Sequence, residues 1–469
     1  MTPITPKLTK SANWLPLGIT LGVILGAVLG YIIPDLLLAT GFIGAWFINA
    51  LMILVIPLIV AVMVTGIAAL GDLRKTGRAL VGVFAYFAAT TAVAVLIGFV
   101  LVKLFSPDIE APLFAGTSSV PSISEMLSSV VPAYLPNALA QGRYLGLILL
   151  ALFTGGILAA MGTKGKTMVG FCKELHEVVL RLTGLILYVA PIGLFFLVGS
   201  SVAANRESLP ELAGGLGMYA LILVIGLAIH VGVVLPAALK IWTQRSPLEY
   251  FRHMTPAFLT ALGTSSSAAT LPVTYDCAVN KAKVDARAGS LVLPFGSLAN
   301  LDGTAMHVMI ATTMIAGFSG FSLGWLDLLW VAVLTIFVSF GAAGMPMASL
   351  VVLPVVLVYG AGLRPEVAVA GMASVAAVEW ILDRLRTVTN VWGDAVGAAV
   401  IAESFELKAA TRTRRDSRTG RVTRTRSKAP VRADSRTRRP TDRRTDTTRR
   451  TERRPSRTRS ASSSPAARP

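Results

Sequence analysis

The sequence predicts an all-α, polytopic membrane protein with eight transmembrane helices and two re-entrant helical hairpins, built as inverted repeats. Three observations carry this. Of 469 residues, 54% are hydrophobic and 14% charged, whereas soluble domains carry about 25% charged residues. Six long apolar runs lie before residue 245. In the second half, comparable runs are interrupted by polar, glycine-rich stretches.

A membrane helix needs roughly 20 apolar residues to cross about 30 Å of hydrocarbon. Residues 15–37, 43–70, 80–105, 144–161, 178–203 and 218–239 meet that requirement. The first run is too long for a cleaved signal peptide and lacks a small-residue cleavage site. Basic residues mark cytoplasmic loops. Lys7 and Lys10 precede the first span; Arg74, Lys75 and Arg78 follow the second, Lys164, Lys166 and Lys173 the fourth, and Lys240 and Arg245 the sixth. Asp108, Glu110, Glu207 and Glu211 occupy the alternate loops. The expected location is the cell (inner or plasma) membrane, multi-pass, with both termini cytoplasmic.

Residues 263–272, 300–304 and 341–347 are polar breaks inside apolar segments. Irregular backbone at membrane depth must be buried in protein or line a cavity. The pattern is hairpin, helix, hairpin, helix, with the hairpins entering from opposite sides, as at the midplane site of a secondary transporter.

The formal charge of +18 is unevenly spread. Residues 408–469 hold 22 of the 43 Lys+Arg and 5 of the 25 Asp+Glu, leaving residues 1–407 at +1. That excludes a soluble basic enzyme, and two cysteines, Cys172 and Cys277, exclude a disulfide scaffold. The tail has almost no large apolar residue and is expected to be disordered and cytoplasmic, with anionic lipid headgroups as a partner. No aromatic residue interleaves with its arginines, which argues against nucleic acid.

The richest chemistry lies in residues 379–394. At 100° per residue, with Glu379 at 0°, Arg386 falls near −20°, Asn390 near 20°, Asp383 near 40° and Asp394 near 60°, an arc of about 80°. Arg384 falls off this stripe. Ionisable groups on an apolar membrane helix mark a pathway or a site. Arg386 can clamp a carboxylate through two parallel N–H bonds, Asp383 can receive an ammonium group, and Asn390 can serve a second carboxylate. A ligand with one ammonium and two carboxylates fits, which describes an acidic amino acid. Asp394, Asn300 and Asp302 offer hard oxygens for an alkali cation. The same spacing also permits a salt-bridge seam of Asp383–Arg386 and Arg386–Asn390 locking two helices. His176, His230, His253 and His307 read as packing or interfacial residues. Ser265–Ser267 find no base partner that an intramembrane hydrolase would need.

Together the serine-rich hairpin tip, Asn300-Leu-Asp-Gly-Thr304 and the Asp383/Arg386/Asn390/Asp394 face resemble the sodium-coupled glutamate/aspartate transporters, the dicarboxylate/amino acid:cation symporters, over residues 12–407. The resemblance implies a homotrimer working as an elevator. A short cytoplasmic N-terminus (1–11) would precede mostly scaffold and trimerisation helices (12–245), whose third and sixth spans move with a transport core (246–407). The tail (408–469) lies outside the resemblance. It implies substrate contacts from Ser266 and Ser267, with Ser267 and Asn390 on one carboxylate, Thr304 and Arg386 on the other, and Asp383 on the amino group. Met345 would form the wall of the gating hairpin and Thr387 a supporting contact. One sodium would use Gly296, Asn300, Asn390 and Asp394, another Thr90, Thr91, Asn300 and Asp302, and a third the carbonyls near Ser339, Phe340 and Ala342. Sodium ions, with proton coupling left open, and no organic cofactor are implied. The chain departs from the family pattern at Leu301, Phe87, Glu379 and Ser349. Val308 stands where the animal transporters carry a proton-linked glutamate, so proton transport by that residue is not expected. Neutral amino acids or C4-dicarboxylates, or a substrate-gated anion channel, are the alternatives.

Overall fold

The computed structural model describes residues 14–69, 73–105, 133–140, 145–339 and 344–418. Every regular element among them is helical. Contacts divide the chain into residues 1–414 and 415–469, and of the latter only the helical residues 415–418 are described.

The first half contains α1 (Trp14–Ile32), α2 (Pro34–Thr40), α3 (Phe42–Met52), α4 (Val55–Ala69) and α5 (Leu73–Phe105). After the short α6 (Leu135–Ala140) come α7 (Leu145–Met161), α8 (Lys166–Tyr188), α9 (Ala190–Ala204) and α10 (Leu209–Ile229). A π-helical turn, His230–Val234, then leads into α11 (Leu235–Thr243). The run expected over residues 15–37 breaks at Ile33 (φ −126°, ψ 62°). A residue before proline is pushed out of the helical region, and Pro34 follows. Pro34–Thr65 is then apolar and long enough to cross a membrane, as are Val81–Phe105, Leu209–Thr243 and Pro365–Glu403. The run expected over 178–203 is broken too, because α8 and α9 meet at 59°. Pro191 cannot donate to the carbonyl one turn back, so the ladder opens there.

α1 lies tightly on α9. A Cβ added at Gly22, Gly26 or Gly30 would strike the carbonyl oxygen of Pro191, Phe195 or Gly199 respectively. The matched four-residue steps make the helices parallel, and only glycine permits so close a backbone approach.

The second half contains α12 (Pro247–Thr264) and α13 (Ser267–Tyr275), the latter extended by a π turn at Asp276–Lys281. Then follow α14 (Ala286–Ala299), α15 (Asp302–Phe318), α16 (Trp325–Ser339), α17 (Ser349–Tyr359) and α18 (Pro365–Arg418). The last helix therefore carries the first residues of the arginine-rich segment. α12 and α13 form one hairpin, turned by Ser265 in the left-handed region (φ 50°) and extended Ser266. α16 and α17 form a second, closed at its open end by the Trp330 indole donating to the Tyr359 carbonyl at 3.0 Å. α15 is the innermost helix, buried at every position except Thr313 and Gly317. An aromatic cluster seats the first hairpin: Trp392 of α18 packs on Tyr250, Phe251 and Phe258 of α12. The Tyr250 hydroxyl donates to the Ala395 carbonyl at 2.7 Å.

Candidate functional site

The two hairpin tips and the break between α14 and α15 converge on one face of α18. Ser266 caps α13 by accepting from Ala269 N–H at 3.1 Å, which fits serine's preference for that position. Its hydroxyl donates to Gly344 of the second hairpin at 2.6 Å, and Ala268 N–H reaches the same carbonyl at 3.2 Å. The tips therefore touch. Ser267 is buried against Gly344. Met345 is buried beside it, and Met347, with φ 55°, turns its N–H onto Asp383 Oδ2 at 2.9 Å.

Arg386 is completely buried. Its Nη2 donates to Glu379 Oε1 and to Asp383 Oδ1, each at 2.6 Å, and to the Ser349 hydroxyl at 3.0 Å. Ser349 also bonds Glu379. Nε and Nη1 of Arg386 have no hydrogen-bond partner. Asp383 and Arg386 thus share the expected face and are paired with each other, and Arg386 is paired with Glu379 as well. A buried charge left unpaired costs several kcal/mol, and two of the protein's own carboxylates answer the guanidinium. The predicted Arg386–Asn390 contact of a seam does not form. Asn390 instead accepts from Gly303 N–H at 2.8 Å and donates to the Thr304 hydroxyl at 3.5 Å. Thr387 bonds back to the Asp383 carbonyl at 2.8 Å. Arg384, off the stripe, donates to the Leu262 carbonyl at 2.6 Å in the last turn of α12.

Asn300 and Leu301 leave the helical region between α14 and α15. The Thr91 hydroxyl donates to Asp302 Oδ1 at 2.7 Å, and Thr90 to Asp302 at 3.3 Å and to Asn300 Oδ1 at 3.4 Å. Asn300 donates to Asp394 Oδ1 at 3.1 Å. A Cβ at Gly296 would strike that same oxygen, so the glycine admits the carboxylate to the α14 backbone. Thr90, Thr91, Asn300 and Asp302 are thereby brought together as hard oxygens, as are Asn300, Asp394 and Gly296, whereas Asn390 turns to Gly303 and Thr304. Ser339 ends α16, its hydroxyl donating to the Ile336 carbonyl at 2.9 Å. Phe340 and Ala342 lie outside the described residues.

Two residues that sequence reasoning set aside as packing also enter the site. His230 Nε2 lies 3.1 Å from Asp302 Oδ2, and His307 Nδ1 lies 2.6 Å from the Tyr219 hydroxyl. Both imidazoles are fully buried. The signal available was cost: an ionisable ring inside an apolar helix needs a partner.

Broken helices around a buried, charged centre define a multi-pass helical membrane transporter. The chain matches the sodium:dicarboxylate symporter family over residues 15–404. It is 31% identical over 423 residues to excitatory amino acid transporter 1 of Ambystoma tigrinum, covering 77% of this chain and 76% of that protein. Excitatory amino acid transporter 4 of Mus musculus is 32% identical over 437 residues, with 77% of each chain covered. Excitatory amino acid transporter 3 of Homo sapiens is 31% identical over 418 residues, with 77% of this chain and 78% of that protein covered. The protein belongs to the sodium:dicarboxylate symporter family, and is a transporter rather than an enzyme.

Proposed function

We propose that the protein is a secondary active symporter that imports L-aspartate or L-glutamate with sodium ions by an elevator movement. One observation carries the reading: a fully buried guanidinium, Arg386, keeps donors without partners beside Asp383, on the face where both hairpin tips meet. A neutral amino acid would leave Nε and Nη1 of Arg386 without acceptors, and a dicarboxylate without an amine would bring Asp383 no second cation. The relatives named for excitatory amino acids support the same substrate class.

In this reading the substrate's ammonium takes Asp383 and its side-chain carboxylate takes Arg386 with Thr304. The other carboxylate takes the Ser266–Ser267 tip and Asn390, Met345 walls the gate and Thr387 stiffens the helix behind. Sodium ions, as co-substrates, occupy the Thr90/Thr91/Asn300/Asp302 and the Gly296/Asn300/Asn390/Asp394 groups, and a third the end of α16 near Ser339, Phe340 and Ala342. The eight spans and two re-entrant hairpins would be completed in a homotrimer with cytoplasmic termini. The core 246–407, with the third and sixth spans, would move against the rest of 12–245.

The test is uptake of labelled aspartate, glutamate, serine and succinate into proteoliposomes under separate sodium, potassium and pH gradients. Sodium-driven, saturable accumulation of the acidic amino acids alone is expected. Preferential uptake of serine or succinate overturns the substrate assignment, and substrate-gated current without accumulation points to a channel.

A further inference from the structure

His230 is fully buried and opens the π turn between α10 and α11. Its ring makes a single hydrogen bond, from Nε2 to Asp302 Oδ2 at 3.1 Å, and Nδ1 has no partner. An imidazole buried with half its bonding capacity unmet is a poor packing residue, because the unpaired nitrogen has given up water without return. A leucine or methionine would fill the space at less cost. The one bond the ring does make is therefore its use.

That bond lands on the carboxylate of the Thr90/Thr91/Asn300/Asp302 group. A carboxylate only accepts, so Nε2 carries the hydrogen and donates it. The two oxygens of Asp302 are then divided. Oδ1 accepts from Thr91 at 2.7 Å and from Thr90 at 3.3 Å, both on α5. Oδ2 accepts from His230 alone among the described residues. Oδ2 also lies against the backbone of α18, where a Cβ added at Gly393 would come within 3.2 Å of it. The π turn reaches α18 as well: the Val231 carbonyl accepts from the Trp392 indole at 3.3 Å, two residues before Asp394. Single π turns inside α-helices often fall at functional sites. A carboxylate that meets a cation is oriented by whatever bonds its other oxygen, and losing that partner typically lowers metal affinity by about 10–100-fold.

We infer that His230 is a positioning residue for the sodium group around Asp302: its Nε2–H pins Oδ2, so that Oδ1 stays turned to the threonine hydroxyls. His230 acts through Asp302 and contacts neither substrate nor cation. The inference rests on the symport reading, which puts a sodium ion among those oxygens.

The test is equilibrium binding of labelled aspartate to the full chain in detergent, titrated with sodium chloride against choline chloride at constant pH and ionic strength. His230→Met fills the space without a donor, and His230→Gln returns an amide N–H to about the place of Nε2. Half-saturating sodium should rise about 10–100-fold in His230→Met, while aspartate affinity at saturating sodium stays close to wild type. His230→Gln should recover most of the loss. An unchanged sodium titration in His230→Met overturns the inference and leaves the symport reading standing. So does a loss of equal size at every sodium concentration, which marks a damaged fold. A glutamine variant no better than the methionine one shows that the ring's shape matters and its donor does not, and overturns the inference too. Wild-type binding that ignores sodium removes the symport reading along with it. Should His230→Met not fold, nitrogen NMR of wild type labelled at its four histidines decides. The Nε2 resonance of His230, assigned by replacing the other three in turn, should shift saturably with sodium, and a resonance that sodium leaves unmoved overturns the inference.

Discussion

Arg386 carries its charge inside the protein, and that burial dictates its surroundings. Arg386→Ala should lower the affinity for acidic amino acids by about two to four orders of magnitude, since losing one partner of a buried charge pair costs roughly 3–5 kcal/mol. Neutral substrates should be spared or gained, as competition of labelled serine and aspartate uptake will read. Asp394 should matter to the cation instead. Asp394→Asn keeps the shape against Gly296 and Asn300 but removes the charge, so sodium-dependent aspartate binding should weaken by about tenfold, the loss of roughly one charge-assisted contact. An unchanged sodium titration would assign the cation elsewhere. The polar stripe was legible in the sequence because helical periodicity alone places Asp383, Arg386, Asn390 and Asp394 on one face. Glu379 lay on that stripe as well, but its hold on Arg386 depends on rotamers that periodicity does not fix. For His230 and His307 the sequence showed only that a buried ring needs a partner; the partners themselves, Asp302 and Tyr219, sit on other helices.

Among the elements, α14 shows how local chemistry sets a boundary. Asp285 caps it, accepting from the Arg287 N–H at 2.7 Å and pairing with the Arg287 side chain. The side-chain hydrogen bond to Arg287 holds the Asp285 carboxyl below the usual carboxylate range. A depressed folded-state pKa gives stability that is fully present above the unfolded value, about 3.9, and lost as pH falls through the folded one. Asp285→Ala should therefore cost about 1 kcal/mol near neutral pH, with the difference from wild type shrinking below about pH 4. Thermal unfolding of both proteins in detergent across that range measures it, and a difference independent of pH would deny the carboxylate its role. The first hairpin's turn at Ser265–Ser266 and the break between α14 and α15 at Asn300–Leu301 were legible, because polar residues interrupt apolar runs there. The 59° bend between α8 and α9 was not, since hydropathy records how apolar a run is and not its direction. Pro191 was the available sign.

At the scale of the whole molecule, the elevator reading requires α18 to slide past α9. Ser201 of α9 and Ser374 of α18 meet there, hydroxyl to hydroxyl at 2.7 Å, beside a cavity of about 430 Å³ lined by Leu197, Asn205, Arg364 and Ala370 among others. Replacing both serines with cysteine should allow a disulfide at this separation. Cross-linking should abolish uptake and reduction restore it, while full uptake by the cross-linked protein would show that these helices need not part. The native Cys172 and Cys277 are both buried. Such a carrier has to make half its journeys unladen. Asp383 offers a means: its carboxylate grips Arg386 with one oxygen and the second hairpin with the other. Under the elevator reading, a carboxylate of the protein that stands in for the cargo's would leave less bare charge facing lipid on a return crossing, and a solute seeking entry would first have to outbid it.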